Sequence, residues 1–186
     1  MVIALFVLLV SCQQMYHPEE QTQVSSVVSV QFSLSKEGPQ TIYRNDTFDY
    51  EIRFSEEKVE LVPNQIFERG TEGNPSFRIR SGGHFALGVW DNSQKMSAKN
   101  WLDQQYMGYS GGWIGKVEEF RDLPVKAYRA YREATFDPEA PTYIEYIIVP
   151  KGEKFYTFGL EINAKDSAPS LQVFRNVVTS FRFINQ

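Results

Sequence analysis

The chain alternates between two hydrophobic periods. From Val24 to Ser35 (VSSVVSVQFSLS), Val28, Val30, Phe32 and Leu34 alternate with Ser29, Gln31, Ser33 and Ser35. A period of two puts one set on one face of a β-strand. Lys36-Glu37-Gly38-Pro39 then reads as a turn. Phe48, Tyr50, Ile52 and Phe54 alternate with Asp49, Glu51 and Arg53, so these four should share a core-facing side. Val59 to Val62 is a short apolar run stopped by Pro63-Asn64. Phe77, Ile79 and the stretch Phe85 to Trp90 continue the β character around Gly82-Gly83.

The period changes between Ser97 and Met107. Ala98, Trp101, Leu102 and Gln105-Tyr106 fall on one face of a helix, with Ser97 placed to cap it and Gly108 to end it. The four glycines from Gly108 to Gly115 predict a loop. Trp113 to Phe120 and Val125 to Thr135 flank a connection at Arg121-Asp122-Leu123-Pro124. Within the second of these, Val125, Tyr128 and Tyr131 are also spaced like a helix face, so periodicity leaves that segment open. Thr142 to Val149 is apolar on both faces, as in a central strand. A tight turn at Lys151-Gly152-Glu153 leads to Tyr156, Phe158, Leu160 and Ile162 in strict alternation, the best hairpin in the chain. Ser167-Ala168-Pro169 opens a second helix with Leu171, Phe174, Val177 and Val178 as its stripe, and Ser180 to Ile184 closes as a strand. The expectation is an α+β domain: an antiparallel sheet of about six or seven strands flanked by helices.

The first residues follow neither period. Val2 to Val10 is unbroken apolar sequence. It is shorter than the ~20 residues a membrane-spanning helix needs, and it has the length of a signal-peptide core. It ends in Leu9-Val10-Ser11-Cys12, which resembles the bacterial lipobox, although the run lacks the Lys or Arg that usually precedes it. The resemblance implies residues 1–11 as a lipoprotein signal peptide and Cys12 as the lipidated residue. Residues 12–26 then form a polar tether, and residues 27–186 the domain. It also implies a lipid-anchored protein of the bacterial cell membrane or outer membrane, facing the periplasm or exterior.

Composition removes several classes of function. Of 186 residues, 15% are aromatic, with 14 Phe and 10 Tyr, which suits a β-rich core. A net charge of −4 argues against a nucleic-acid binder. One cysteine and two histidines exclude a disulfide framework and a zinc finger.

From Asn45 to Ile184 the order of elements resembles the PsbP/Mog1-like α/β/α sandwich. The features that carry it are the strand at Phe48–Phe54, the tryptophan-bearing helix at Trp101, the paired hairpins and the ending FRNVVTSFRF from Phe174 to Phe183. The resemblance tips Val125–Glu133 towards strand. It implies similarity to bacterial lipoproteins and offers no catalytic motif to carry over.

Candidate chemistry is sparse. Gly111-Gly112-Trp113-Ile114-Gly115-Lys116 lacks the spacing and the following Ser/Thr of a phosphate loop. Ser81-Gly82-Gly83-His84 brings a serine near a histidine without a nucleophile elbow. Asp91-Asn92 and Asp137-Pro138-Glu139 offer oxygen ligands without calcium-loop spacing. Asn45-Asp46-Thr47 fits a glycosylation sequon. Tyr106, Tyr109 and Trp113 bracket the glycine loop and are the candidate binding residues, against the alternative that Tyr106 is core and Trp113 caps it. No enzyme activity, metal or cofactor is expected. The expected role is binding or assembly at the membrane, supporting an envelope or photosystem-type complex. The alternative is a carrier of a small apolar or lipidic ligand.

Overall fold

The computed structural model describes residues 31–62, 75–106, 112–134, 141–164 and 167–185. In chain order the elements are β1 (Phe32–Glu37), β2 (Gln40–Asn45), β3 (Tyr50–Phe54), β4 (Val59–Val62), β5 (Ser76–Ile79), β6 (His84–Asp91) and α1 (Ala98–Gln105). There follow β7 (Lys116–Phe120), β8 (Ala127–Ala134), β9 (Thr142–Lys151), β10 (Lys154–Asn163), α2 (Ser167–Thr179) and β11 (Arg182–Phe183). The segment whose periodicity was ambiguous is strand β8, paired along its length with β9. The signal peptide, the tether and Cys12 lie outside the described residues, as does the stretch from Val24 to Val30.

All strand pairs are antiparallel, but they form two sheets where one is expected. The larger has seven strands in the order β4-β5-β6-β10-β9-β8-β7, and the smaller has four in the order β1-β2-β3-β11. Periodicity reveals that a segment is a strand and which face is apolar. It does not reveal which sheet receives it.

The two sheets pack through aromatic rings. Phe77 of β5 meets Tyr43 of β2 and Phe54 of β3 edge-on, at centroid distances of 6.2 and 5.5 Å. Tyr50 meets Tyr156 at 6.1 Å, and Phe181, between α2 and β11, meets Phe158 at 5.4 Å. From α2, Phe174 closes the same core against Phe85 at 5.5 Å. Edge-to-face contacts of this kind add about 0.5–1.5 kcal/mol each beyond the area they bury. The predicted stripe of α2 holds, with Phe174, Val177 and Val178 buried and Leu171 half-buried.

The opposite face of the large sheet has its own smaller core. On β9, Ile147 and Val149 face the main core while Ile148 faces this second one. Helix α1 covers it. The Ser97 hydroxyl accepts from the Asn100 N–H and starts the helix, and Trp101 packs on Phe155 at 5.6 Å and Trp90 at 5.5 Å.

Turns are tighter than the sequence suggests. Lys36 and Glu37 belong to β1, and the β1–β2 turn is Gly38-Pro39 alone. Gly38 has φ +59°, the left-handed value that the first position of a type II′ hairpin turn requires. Likewise β9 continues through Pro150 to Lys151, which pairs with Lys154. In a two-residue hairpin the closing pair is hydrogen-bonded, so the Pro150 nitrogen faces away from β10. The β8 ladder on that side has already ended at Ile148, so no hydrogen bond is lost.

One apolar face is not where the alternation predicts. Phe32 and Leu34 of β1 lie on the core-facing side of the small sheet, yet they are 53% and 51% exposed. As the edge strand, β1 extends past what covers its neighbours.

Candidate functional site

The residues that chemistry singles out gather on the two faces of the large sheet. On the α1 face, Tyr106 ends the helix and Trp113 returns against it, with ring centroids 5.2 Å apart. The Tyr106 and Tyr146 hydroxyls are hydrogen-bonded at 2.7 Å, and Tyr146 meets Trp113 edge-on at 5.9 Å. The Arg132 guanidinium lies over both Tyr106 and Trp113, at 4.9 and 5.0 Å from their centroids, in a cation–π arrangement. The Trp113 backbone N–H donates to Asp103 Oδ1 at 3.0 Å, which ties the loop to α1. The hydrogen bond from Lys99 holds the Asp103 carboxyl below its ordinary range, with the Trp113 N–H adding to the effect.

The interior of this cluster is filled by the protein itself. Trp113 is 4% exposed. A Cβ placed on Gly115 would lie 2.6 Å from the Trp113 ring and 2.5 Å from the Tyr131 carbonyl oxygen, so only glycine passes there. Between these two residues Ile114 points outward and is 72% exposed. The structure thus brings Tyr106 and Trp113 together, and Tyr109 lies outside the described residues.

On the other face is an ionic cluster that sequence reading passes over. Glu145 of β9 is fully buried and accepts from Arg129 Nε at 3.0 Å, from the Tyr143 hydroxyl at 2.5 Å and from Arg175 of α2 at 3.3 Å. Arg129 also donates to Glu118 and to the Tyr143 hydroxyl, each at 3.0 Å, and stacks on Tyr131 at 3.9 Å. Two guanidinium groups balance two carboxylates. Burial opposes the charge on Arg129, but the hydrogen bonds and charge of Glu145 outweigh it and hold the guanidinium above its usual range. Burial first, and the bond to Glu145 second, push the Tyr143 phenol up to about 12. The arrangement joins α2 to β8 and β9, and its carboxylate is saturated with donors. The signal in the sequence was Glu145 itself: a charged residue in a strand apolar on both faces needs partners.

The other candidates are used locally. The Ser81 hydroxyl shares a hydrogen bond with Ser170 at 2.9 Å. Asn45 of the sequon is 1% exposed. Its Oδ1 accepts from the Phe48 N–H at 3.0 Å, and its amide donates to the Tyr50 hydroxyl at 3.3 Å. Asp91 accepts from the Ser93 hydroxyl at 2.7 Å. Among the described residues no group of three or more His, Cys, Asp or Glu side chains is placed to hold a metal ion, and no helix is long and apolar enough to cross a membrane. His17, Asp137 and Glu139 lie outside the described residues.

No protein-family model and no curated protein matches this sequence. Solved structures do. The cyanobacterial PsbP protein of Synechocystis aligns with a TM-score of 0.55 at 11% identity, covering 80% of this chain and 97% of its own. The Ran-binding protein Mog1p of Saccharomyces cerevisiae aligns with a TM-score of 0.47 at 6% identity, covering 84% of this chain and 97% of its own. At this identity the likeness concerns architecture: two helices and two antiparallel sheets in the α+β arrangement of PsbP. The chain has a PsbP-like fold.

Proposed function

We propose that this chain is a membrane-anchored, non-enzymatic binding and assembly module, tethered through lipid on Cys12 and supporting a protein complex of the bacterial envelope. The observation that carries the reading is the filled Tyr106–Trp113 cluster with Ile114 thrust outward. A carrier of a small apolar ligand needs a cavity of several hundred Å³ lined by such aromatics. Beside Gly115 the Trp113 ring leaves no room for one methyl group, so the cluster is packed at that point. An exposed apolar side chain such as Ile114 is instead what a protein partner's pocket would receive. The PsbP-like fold suits this role without specifying it, since one fold hosts many functions. The Glu145 carboxylate, which accepts from two arginines and a phenol, also favours a structural use of this buried charge.

Native and denaturing mass spectrometry of the full chain extracted from membranes tests the reading. The expected result is a diacylglyceryl-modified Cys12 as the new N-terminus and no further bound lipid. An unmodified Cys12, or a stoichiometric apolar ligand released on denaturation, would contradict it.

A further inference from the structure

The edge strand β1 is exposed at every residue. Opposite it on β2, Tyr43 and Asn45 are buried, so the apolar side chains of Phe32 and Leu34 continue the core-facing side of the sheet into solvent. Among the described residues no strand pairs with the outer edge of β1. The Asp46 N–H donates to the Gln31 carbonyl at 3.0 Å, which directs the odd-numbered residues of β1 towards β2. Directions alternate along an antiparallel ladder, so the N–H and C=O groups of Phe32, Leu34 and Lys36 point away from the sheet.

Edge strands that stay single usually carry charges on the apolar face, a proline or a bulge. Strand β1 carries one such device, Lys36, and Glu56 neutralises it at 2.6 Å. We propose that β1 pairs antiparallel with β1 of a second copy of this chain, about a two-fold axis through Leu34. In this register Leu34 faces the partner's Leu34, and Phe32 faces the partner's Lys36. All three residues with outward-directed backbone groups therefore meet residues of the same kind. Glu37 comes opposite the partner's Gln31, so no like charges oppose each other. An ammonium group beside an aromatic face is itself favourable. The pairing joins two four-stranded sheets into one of eight and covers the half-exposed Phe32 and Leu34.

Sedimentation equilibrium of the full chain in mild detergent should show a concentration-dependent dimer. Leu34→Lys places two ammonium groups against each other across the axis. It should weaken the dimer by about tenfold or more while leaving the thermal transition of the monomer in place. With Cys12→Ser as background, Leu34→Cys should oxidise to a disulfide-linked dimer, since hydrogen-bonded pairs lie ~5.5 Å apart between Cα atoms. Ser33→Cys, two positions out of register with its own copy, should not. A chain that stays monomeric up to about 1 mM, at the weak end of specific association, overturns the proposal. So does a dimer indifferent to Leu34→Lys, or equal crosslinking at positions 33 and 34. None of these results bears on Cys12 or Ile114.

Discussion

Glu145 shows how much one residue can decide. A carboxylate removed from water survives only with partners, and here two arginines and a phenol supply them. Glu145→Gln leaves Arg129 and Arg175 facing a neutral amide. It should lower unfolding free energy by about 3 kcal/mol in a denaturant titration, since breaking a buried pair strands its partner. A loss under about 1 kcal/mol, the range of exposed pairs, would show the cluster to be solvated. Tyr143 gives the pH dependence. Its phenol is raised to about 12 in the folded chain, against about 10 when unfolded. Folding therefore favours the protonated form. The stability linked to it is complete below about pH 10 and is lost as pH rises towards 12. Tyr43, Tyr50 and Tyr156 are shifted upward too, chiefly by burial. Tyr143→Phe should thus make the alkaline loss of stability shallower without abolishing it. An unchanged slope would contradict the assignment.

At the scale of elements, local chemistry was legible wherever it was self-contained. The Ser97 cap, the Phe174–Val178 stripe and the β9–β10 hairpin each follow from a few neighbouring residues. Ser97→Ala should cost about 1 kcal/mol by thermal melting, the usual worth of such a cap. Phe174→Ala should cost about 3–5 kcal/mol, because it empties the contact between α2 and Phe85. A Phe174→Ala loss no larger than that of Ser97→Ala would mean that α2 does not close the core. What was not legible depends on long-range placement. The two arginines that pair with Glu145 come from β8 and α2, 16 and 30 residues away in the chain. The exposure of Phe32 and Leu34 follows from β1 lying at an edge, and alternation alone cannot distinguish an edge from a centre.

For the whole molecule, the aromatic content acquires a place. The Phe and Tyr residues weld a four-stranded sheet and α2 to one face of a seven-stranded sheet, while Tyr106, Trp113 and Tyr146 seal the other. The single expected sheet becomes two because β1, β2 and β3 pair with one another and with β11, and with no strand of the larger sheet. The candidate site was half legible: Tyr106 and Trp113 do meet, but what they build is a closed cluster that positions Ile114. The central claim is that this closed surface, presented at a membrane, binds a protein. Site-specific photo-crosslinking in intact cells tests it most directly, with the probe at Ile114 and a control probe at exposed Arg121. The account predicts one recurrent envelope-protein adduct from position 114 and none from position 121. Equal labelling at both positions, or lipid as the only adduct at 114, would contradict it.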